Sequence, residues 1–417
     1  MKSQIGVLIW FILFLGAFRL GAQLVKRQIP LRSAFQDICH KVNSKIYLST
    51  KQLSSWPRDC LEEAQKIEAN DDVVQVTMRA NSFFSRLKVS HLGVFGPSEV
   101  QRVWKSQYRT TGIQSKYVDG EVVVVDLVPN SPALRAGLRR GDLLKTINGE
   151  LAQVAEAETE AGVYGIVRKG RAFDIKIETA ELQVDDHIQW KRLDAETTLI
   201  TVPSFRIEFF EDQLWKDKIQ SQIKKTSRVI VDLRQNHGGN FVAGMRFLSS
   251  FLCEPKIVGR LYKPKGQKAR DVILSDDSME DSQVSLLANH DEVKLQSFPD
   301  YGCLKTKLVV LVGAQTASTA EIVAEALRDF AGARILGASS AGLCLVGIWY
   351  PLPAFGAGYM ISIPEAVYET GSGRLLEGDG VQIDKTLYEN LEDYIRGQDS
   401  LVEQAHQVLN AAVQSKK

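Results

Sequence analysis

At 417 residues the chain is long enough for two or three domains. Its 51 basic residues are matched by 50 acidic ones, so the net charge of +1 gives no basic excess and excludes nucleic acid as an expected partner. A hydrophobic content of 44 % is ample for packed cores.

Residues 1–28 read as a targeting segment. Lys2 gives a positive start, and residues 5–18 form an almost unbroken apolar run. That run has the length of a signal-peptide core and is short for a membrane span. Either cleavage after Ala22 or retention as a membrane anchor is compatible with it, and both imply export to the periplasm or another extracytoplasmic space. Five cysteines agree with export. Cys39 could pair with Cys60 and Cys253 with Cys303, leaving Cys344; buried free thiols are the other reading, and spacing does not decide between them.

Residues 29–99 read as a helical N-terminal cap segment. Ala34, Ile38, Val42 and Ile46 share one helical face, as do Leu61, Ala64 and Ile67. An extended stretch follows over residues 87–95 and carries Ser90 and His91. Standing alone, His91 is an ordinary hydrogen-bonded structural histidine. Residues 108–182 have a different character: a valine-rich strand over 121–128, a short helix opened by Ser131 and Pro132, and a tight turn at Asn148 and Gly149. The run SPALRAGLRRGDLLKTINGE resembles a PDZ domain of bacterial proteases, placed here over residues 100–182. The resemblance implies that Gly112, Ile113 and Gln114 form a strand edge that takes a peptide C-terminus by strand addition.

Residues 183–417 read as one α/β domain. A strand over 199–202 and a helix over 209–223 lead to a buried strand over 228–234, which runs into Asn236, His237, Gly238 and Gly239. Paired glycines after a strand let backbone N–H groups be aimed at a ligand. A second buried strand over 308–312 changes to helical period beyond a small-residue turn that ends at Ser318. A serine there is either a plain N-cap or a nucleophile whose oxyanion would lie against unpaired helix N–H groups. A charged helical tail closes the chain over residues 387–413.

In this order, the PDZ-like run, V-D-L-R-x-N-x-G-G, T-A-S-T-A-E-I and E-G-D-G-V-Q-I-D resemble the C-terminal processing peptidase family, which includes the tricorn core protease. The resemblance covers roughly residues 85–385. It implies an α/β (α+β) serine peptidase core with an inserted PDZ domain and a helical N-terminal segment. It further implies Ser318 as nucleophile, and backbone N–H groups of Thr319 and of Gly238 or Gly239 as the oxyanion hole. The family's Ser–Lys branch carries a lysine and a supporting glutamine at what are here Leu343 and Gly347. Leucine accepts no proton, so a Ser–Lys dyad is excluded. The tricorn-like branch uses a histidine ahead of the PDZ domain and a glutamate near the G-V motif, which fall on His91, beside Ser90, and on Glu377. No metal or other cofactor is implied. Isoleucine at position 383, where the family has proline, is a mild departure. His237 is the rival base; His40, His187, His290 and His406 have no supporting context.

The expectation is an exported serine endopeptidase that engages polypeptides through their C-termini. The other class is a catalytically inactive relative kept as a peptide-binding scaffold. Assembly into homo-oligomers, with the terminal helical segments as contact surfaces, is an expectation from the family alone.

Overall fold

The computed structural model describes residues 31–49, 51–211, 213–264, 272–277, 280–299 and 301–414. The expected targeting segment at residues 1–28 lies outside them. The described chain forms two compact units, Met1–Pro97 with Gly347–Pro364, and Ser98–Val346 with Glu365–Lys417.

The first unit is built on three helices, Leu31–Lys45, Trp56–Gln65 and Val73–Phe84. The third begins with a capping box, in which Asp72 accepts from the Gln75 N–H at 2.8 Å and Gln75 accepts from the Asp72 N–H at 3.0 Å. Phe35, Trp56, Phe83 and Phe84 meet in one aromatic cluster with ring centroids 5.8–6.3 Å apart. Full burial of each such side chain contributes roughly 1.5–3 kcal/mol. A disulfide joins Cys39 to Cys60 and staples the first two helices. Asn81 then fixes the strand Gly93–Phe95: its side chain accepts from the Val94 N–H at 2.7 Å and donates to the Val94 carbonyl at 2.8 Å. That strand pairs antiparallel with the start of Met360–Thr370, Gly93 opposite Ser362. Only three residues of the stretch expected as extended, 87–95, are strand. Lys88 and His91 take positive φ and break it.

The second unit is organised by a six-stranded sheet with the order Gln189–Arg192, Thr197–Thr201, Arg228–Asp232, Lys307–Val312, Arg334–Gly337 and Lys385–Thr386. Every pairing is parallel except the first. The central strands are buried throughout, as near-continuous Val, Ile and Leu runs require. The tail helix Ser400–Gln414 covers one face through Leu401, Val402, Ala405 and Leu409. A second antiparallel group pairs Ile257–Tyr262 with Glu292–Gln296 and with the end of Met360–Thr370. A disulfide joins Cys253 to Cys303.

Where a single amphipathic helix is expected over 209–223, the chain makes a 3-10 turn, Ile207–Phe210, then a π-helix, Gln213–Gln220. The wider turn puts residues five apart on one face. Trp215 Nε1 and Gln220 Nε2 thereby both donate to the buried Ser250 Oγ, at 2.8 and 2.6 Å.

Within this unit, Ile113–Val118, Glu121–Leu127, Leu143–Ile147, Gly162–Arg168 and Arg171–Ile177 form a separate antiparallel sheet. It has its own core around Tyr164, Leu138, Ile166 and Ile177. Asp142 is buried there, and Arg168 engages it through two hydrogen bonds of 2.6 Å. The segments that enter and leave this small sheet, Gln107–Thr110 and Ala180–Gln183, pair antiparallel as a neck.

Candidate active site

The parallel sheet makes the site. Arg228–Asp232 and Lys307–Val312 lie side by side with Asp232 opposite Leu311, so the loops beyond their C-terminal ends meet. This is where open parallel sheets place ligands. The first loop carries Gly238 and Gly239, the second Ser318. Three bonds fasten them together. The Ala317 N–H donates to the Asn236 carbonyl at 3.0 Å. The Thr319 hydroxyl donates to the Gly239 carbonyl at 2.7 Å, and the Thr316 hydroxyl to the Leu233 carbonyl at 2.8 Å.

Ser318 precedes the helix Thr319–Ala331 with φ 57° and ψ −126°. A non-glycine residue held there stores on the order of 1–3 kcal/mol of strain, and such strain gathers at functional sites. The neighbouring glycines leave no room for substitution. A Cβ on Gly238, at φ +101°, would stand 2.7 Å from Ser318 Cβ, and one on Gly239, at φ +134°, 2.5 Å from the Phe205 carbonyl oxygen. The Gly238 N–H donates within its own loop, to Asn236 Oδ1 at 2.8 Å. The Gly239 and Thr319 N–H groups are therefore the pair better suited to an oxyanion.

Two carboxylates, Glu321 and the half-buried Glu377, hold the adjoining loop. Glu321 is fully buried, and its Oε2 accepts from the Ser318 N–H at 3.0 Å. The same carboxylate takes the Ser340 hydroxyl at 2.7 Å and the N–H groups of Gly342 and Leu343 at 2.8 and 3.0 Å. Glu377 accepts from the N–H groups of Cys344 and Leu345 at 2.7 and 3.1 Å. Both carboxylates thus hold the 340–345 loop, and Leu343 stands 42 % exposed on it. Cys344 Sγ lies 3.3 Å from Glu321 Oε2. Burial, and then the Glu321 charge, push this thiol far above its usual range, so it stays protonated.

His237 stands on the glycine loop. Burial lowers its pKa, the Arg102 charge lowers it further, and Glu158 partly opposes both. In the first unit, His91 Nδ1 lies 2.9 Å from Ser90 Oγ. With the proton on Nδ1, that bond leaves the Nε2 lone pair as an acceptor. Burial lowers the His91 pKa to about 4, so the ring is neutral near pH 7. Gly347 explains how the ring is accommodated: a Cβ there would lie 2.9 Å from His91 Cβ and 2.5 Å from Ser362 Oγ.

Gly112, Ile113 and Gln114 lie where the neck enters the small sheet. The N–H groups of Gly112 and Ile113 donate to the Thr110 and Thr111 hydroxyls at 3.0 and 3.1 Å. A carboxylate entering this turn has to displace those hydroxyls.

The second unit thus brings together Ser318, Thr319, Gly238 and Gly239, with Glu377 on the adjoining loop; the first unit, described by itself, joins Ser90 to His91. The roles of Asn236 and Glu321 escape motif reading, although both residues stand inside the quoted motifs. Among the described residues, no group of three or more His, Cys, Asp or Glu is placed to hold a metal ion, and no helix is long and apolar enough to cross a membrane.

Known proteins share part of this sequence and this fold. Residues 196–387 match the profile of peptidase family S41. The chain is 28 % identical over 314 residues to a carboxy-terminal-processing protease of Bartonella bacilliformis, a match that spans 71 % of this chain and 65 % of that relative. It is therefore matched to somewhat under two thirds of that relative's length. In structure it is similar to a photosystem II D1 C-terminal processing protease, with a TM-score of 0.54, 18 % identity and coverage of 90 % of this chain and 99 % of the other. It is also similar to the tricorn protease, with a TM-score of 0.50 and 14 % identity, covering 92 % of this chain and 37 % of that one. At these identities the structural likeness is one of fold.

Proposed function

We propose that the chain, whose residues 196–387 match the profile of peptidase family S41, is an exported serine endopeptidase of the C-terminal processing type. Ser318 attacks the scissile carbonyl and forms an acyl-enzyme. His91 accepts the serine proton and returns it to the leaving amine. Ser90 orients His91 through the Nδ1 contact. The N–H groups of Thr319 and of Gly239, or Gly238 once released from Asn236, take the oxyanion. Loss of one such donor typically costs roughly 10²–10³ in rate. Glu377 acts by holding the backbone of Cys344 and Leu345. Polypeptides enter through their C-terminal regions, with the PDZ-like sheet at Gly112, Ile113 and Gln114 as the receiving edge.

The observation that carries the reading is the strained φ of Ser318 at a helix start, packed against Gly238. The neutral state of His91 supports it as a base, and Leu343 in the lysine position removes the competing dyad. The test is cleavage of an unfolded protein by the wild type, Ser318→Ala, His91→Ala and His237→Ala. Activity lost in the first two variants and kept in the third supports the Ser–His reading. Loss in His237→Ala with His91→Ala intact moves the base into the glycine loop. A second reading, an inactive peptide-binding scaffold, draws on Leu343 and on the engaged Gly238 N–H. An inert wild type that still binds peptide would favour it.

A further inference from the structure

Phe205 carries the glycine loop on its backbone. Its N–H donates to the Gly238 carbonyl at 2.9 Å, and its carbonyl accepts from the Asn240 N–H at 2.8 Å. Its ring is buried against Phe210 and Phe247, with centroids 5.6 and 5.8 Å away. The residues on either side of Phe205 face the neck of the small sheet. The Arg206 guanidinium donates to three groups at once: the Asp186 carboxylate, the Trp104 carbonyl and, at 2.7 Å, Ser106 Oγ. Asp186 also accepts from Ser106 Oγ at 2.9 Å and from Ser204 Oγ at 3.2 Å. Trp104 and Ser106 lie on the segment that enters the small sheet and Asp186 on the segment that leaves it. The Val184 N–H closes the neck on the Ser106 carbonyl at 2.9 Å. Arg206 and Asp186 are largely buried, with side-chain exposures of 16 % and 14 %.

We propose that Arg206 is a positioning residue for the Gly238–Gly239 loop, clamping both strands of the neck onto the short segment whose central residue holds that loop. The inference rests on the reading of Ser318 and the glycine loop as the reacting centre. Its physical basis is that three acceptors on two chain segments fix a planar fork in one orientation, and with it the two peptide planes on either side of Phe205. Those planes aim the glycine loop, and misplacing a reacting or stabilising group by about 1 Å costs up to ~10²-fold in rate. His237 gives independent support. It sits on the same loop and feels the charges of Arg102 and Glu158, which belong to the neck helix Pro97–Lys105 and to the small sheet's helix Val154–Thr159. A change in the small sheet that shifts the neck would reach the oxyanion donors through Arg206.

The test uses the full chain, a quenched fluorogenic peptide and a fluorophosphonate probe of the active serine. Arg206→Ala is expected to lower kcat and the fluorophosphonate labelling rate each by about 10²-fold, with KM held within about twofold. Millimolar guanidinium should restore much of the loss by refilling the planar slot. Arg206→Lys keeps the charge without the fork and should stay close to Arg206→Ala. Asp186→Asn, which keeps the shape, gives a second variant with the same expected direction. An unchanged kcat in Arg206→Ala overturns the inference. So does a loss that tracks a lowered unfolding midpoint and is not relieved by guanidinium. Ser318→Ala runs beside these variants. If it still turns over peptide, the assignment of the reacting centre falls and the inference falls with it. If it is inert while Arg206→Ala is fully active, the centre stands and only the clamp is wrong.

Discussion

His91 has lost most of its contact with water, and this sets how the protein should respond to pH. Burial disfavours the imidazolium, so the ring keeps its proton-accepting form well below the usual histidine range. With His91 as the base, kcat/KM should be level from about pH 5 upward and should fall only as pH approaches about 4. A profile with its acid limb near pH 6.5 would contradict that role. Stability has the matching sign. Between about 4 and 6.5 the unfolded chain binds a proton that the folded one refuses, so stability falls as pH drops through that window. Gly347 belongs to the same argument. Gly347→Ala places a methyl where His91 and Ser362 already stand and should lower kcat by about tenfold or more through displacement of the ring. Unaltered kinetics in that variant would separate His91 from the chemistry. The absent glutamine thus has a spatial reason, because the room a side chain at 347 would need holds the histidine.

The elements around the site are held by charge as well as by packing. Arg234 binds Asp232 through 2.9 and 2.6 Å bonds and Asp399 through 3.0 and 2.6 Å bonds. This joins the strand Arg228–Asp232 to the start of the tail helix Ser400–Gln414. Burial alone would raise the Asp399 pKa, yet the Arg234 contacts outweigh it and hold the carboxylate below its usual range. Removing one partner strands a buried charge, so Arg234→Ala should cost about 3–5 kcal/mol in urea unfolding. A loss below about 1 kcal/mol would class the pair with weak surface bridges. The sequence shows the strand, the glycine pair and the turn at Ser318, because apolar runs and small residues carry those signals locally. It does not show that Asn236, Glu321 and Arg206 fasten the loops. Each of these acts on groups brought close only by parallel strand pairing or by the neck, and residue type alone says nothing of that. The π-helix at Gln213–Gln220 is hidden for the same reason, since its wider turn answers to a hydroxyl at Ser250.

At the scale of the molecule, each unit carries one disulfide. They close loops with sequence separations of 21 and 50 residues. Loop-closure entropy gives stabilisations of about 3 and about 4 kcal/mol respectively. Reduction should therefore lower the denaturant midpoint, with the Cys253→Ser, Cys303→Ser pair losing slightly more than Cys39→Ser, Cys60→Ser. No change on reduction would show that the bridges contribute nothing in solution. The small sheet has its own core and is joined to the large sheet by a neck that Arg206 grips. Its turn at Gly112 and Ile113 is internally satisfied by Thr110 and Thr111.

By itself, the sequence determined the chemical inventory: a serine at a strand-to-helix turn, paired glycines after a neighbouring strand, a histidine early in the chain, and a leucine where a lysine would serve. It did so because strand, turn and helix propensities are local, and because leucine cannot accept a proton wherever it sits. The tertiary structure decided which groups are engaged and which are exposed to a reaction. It put the Gly238 N–H on Asn236, the Ser318 N–H on Glu321 and His91 in the space beside Gly347. The first two are bonds between residues two and three positions apart, which the burial of the loops selects, and the third joins residues far apart in sequence that only the folded chain brings together.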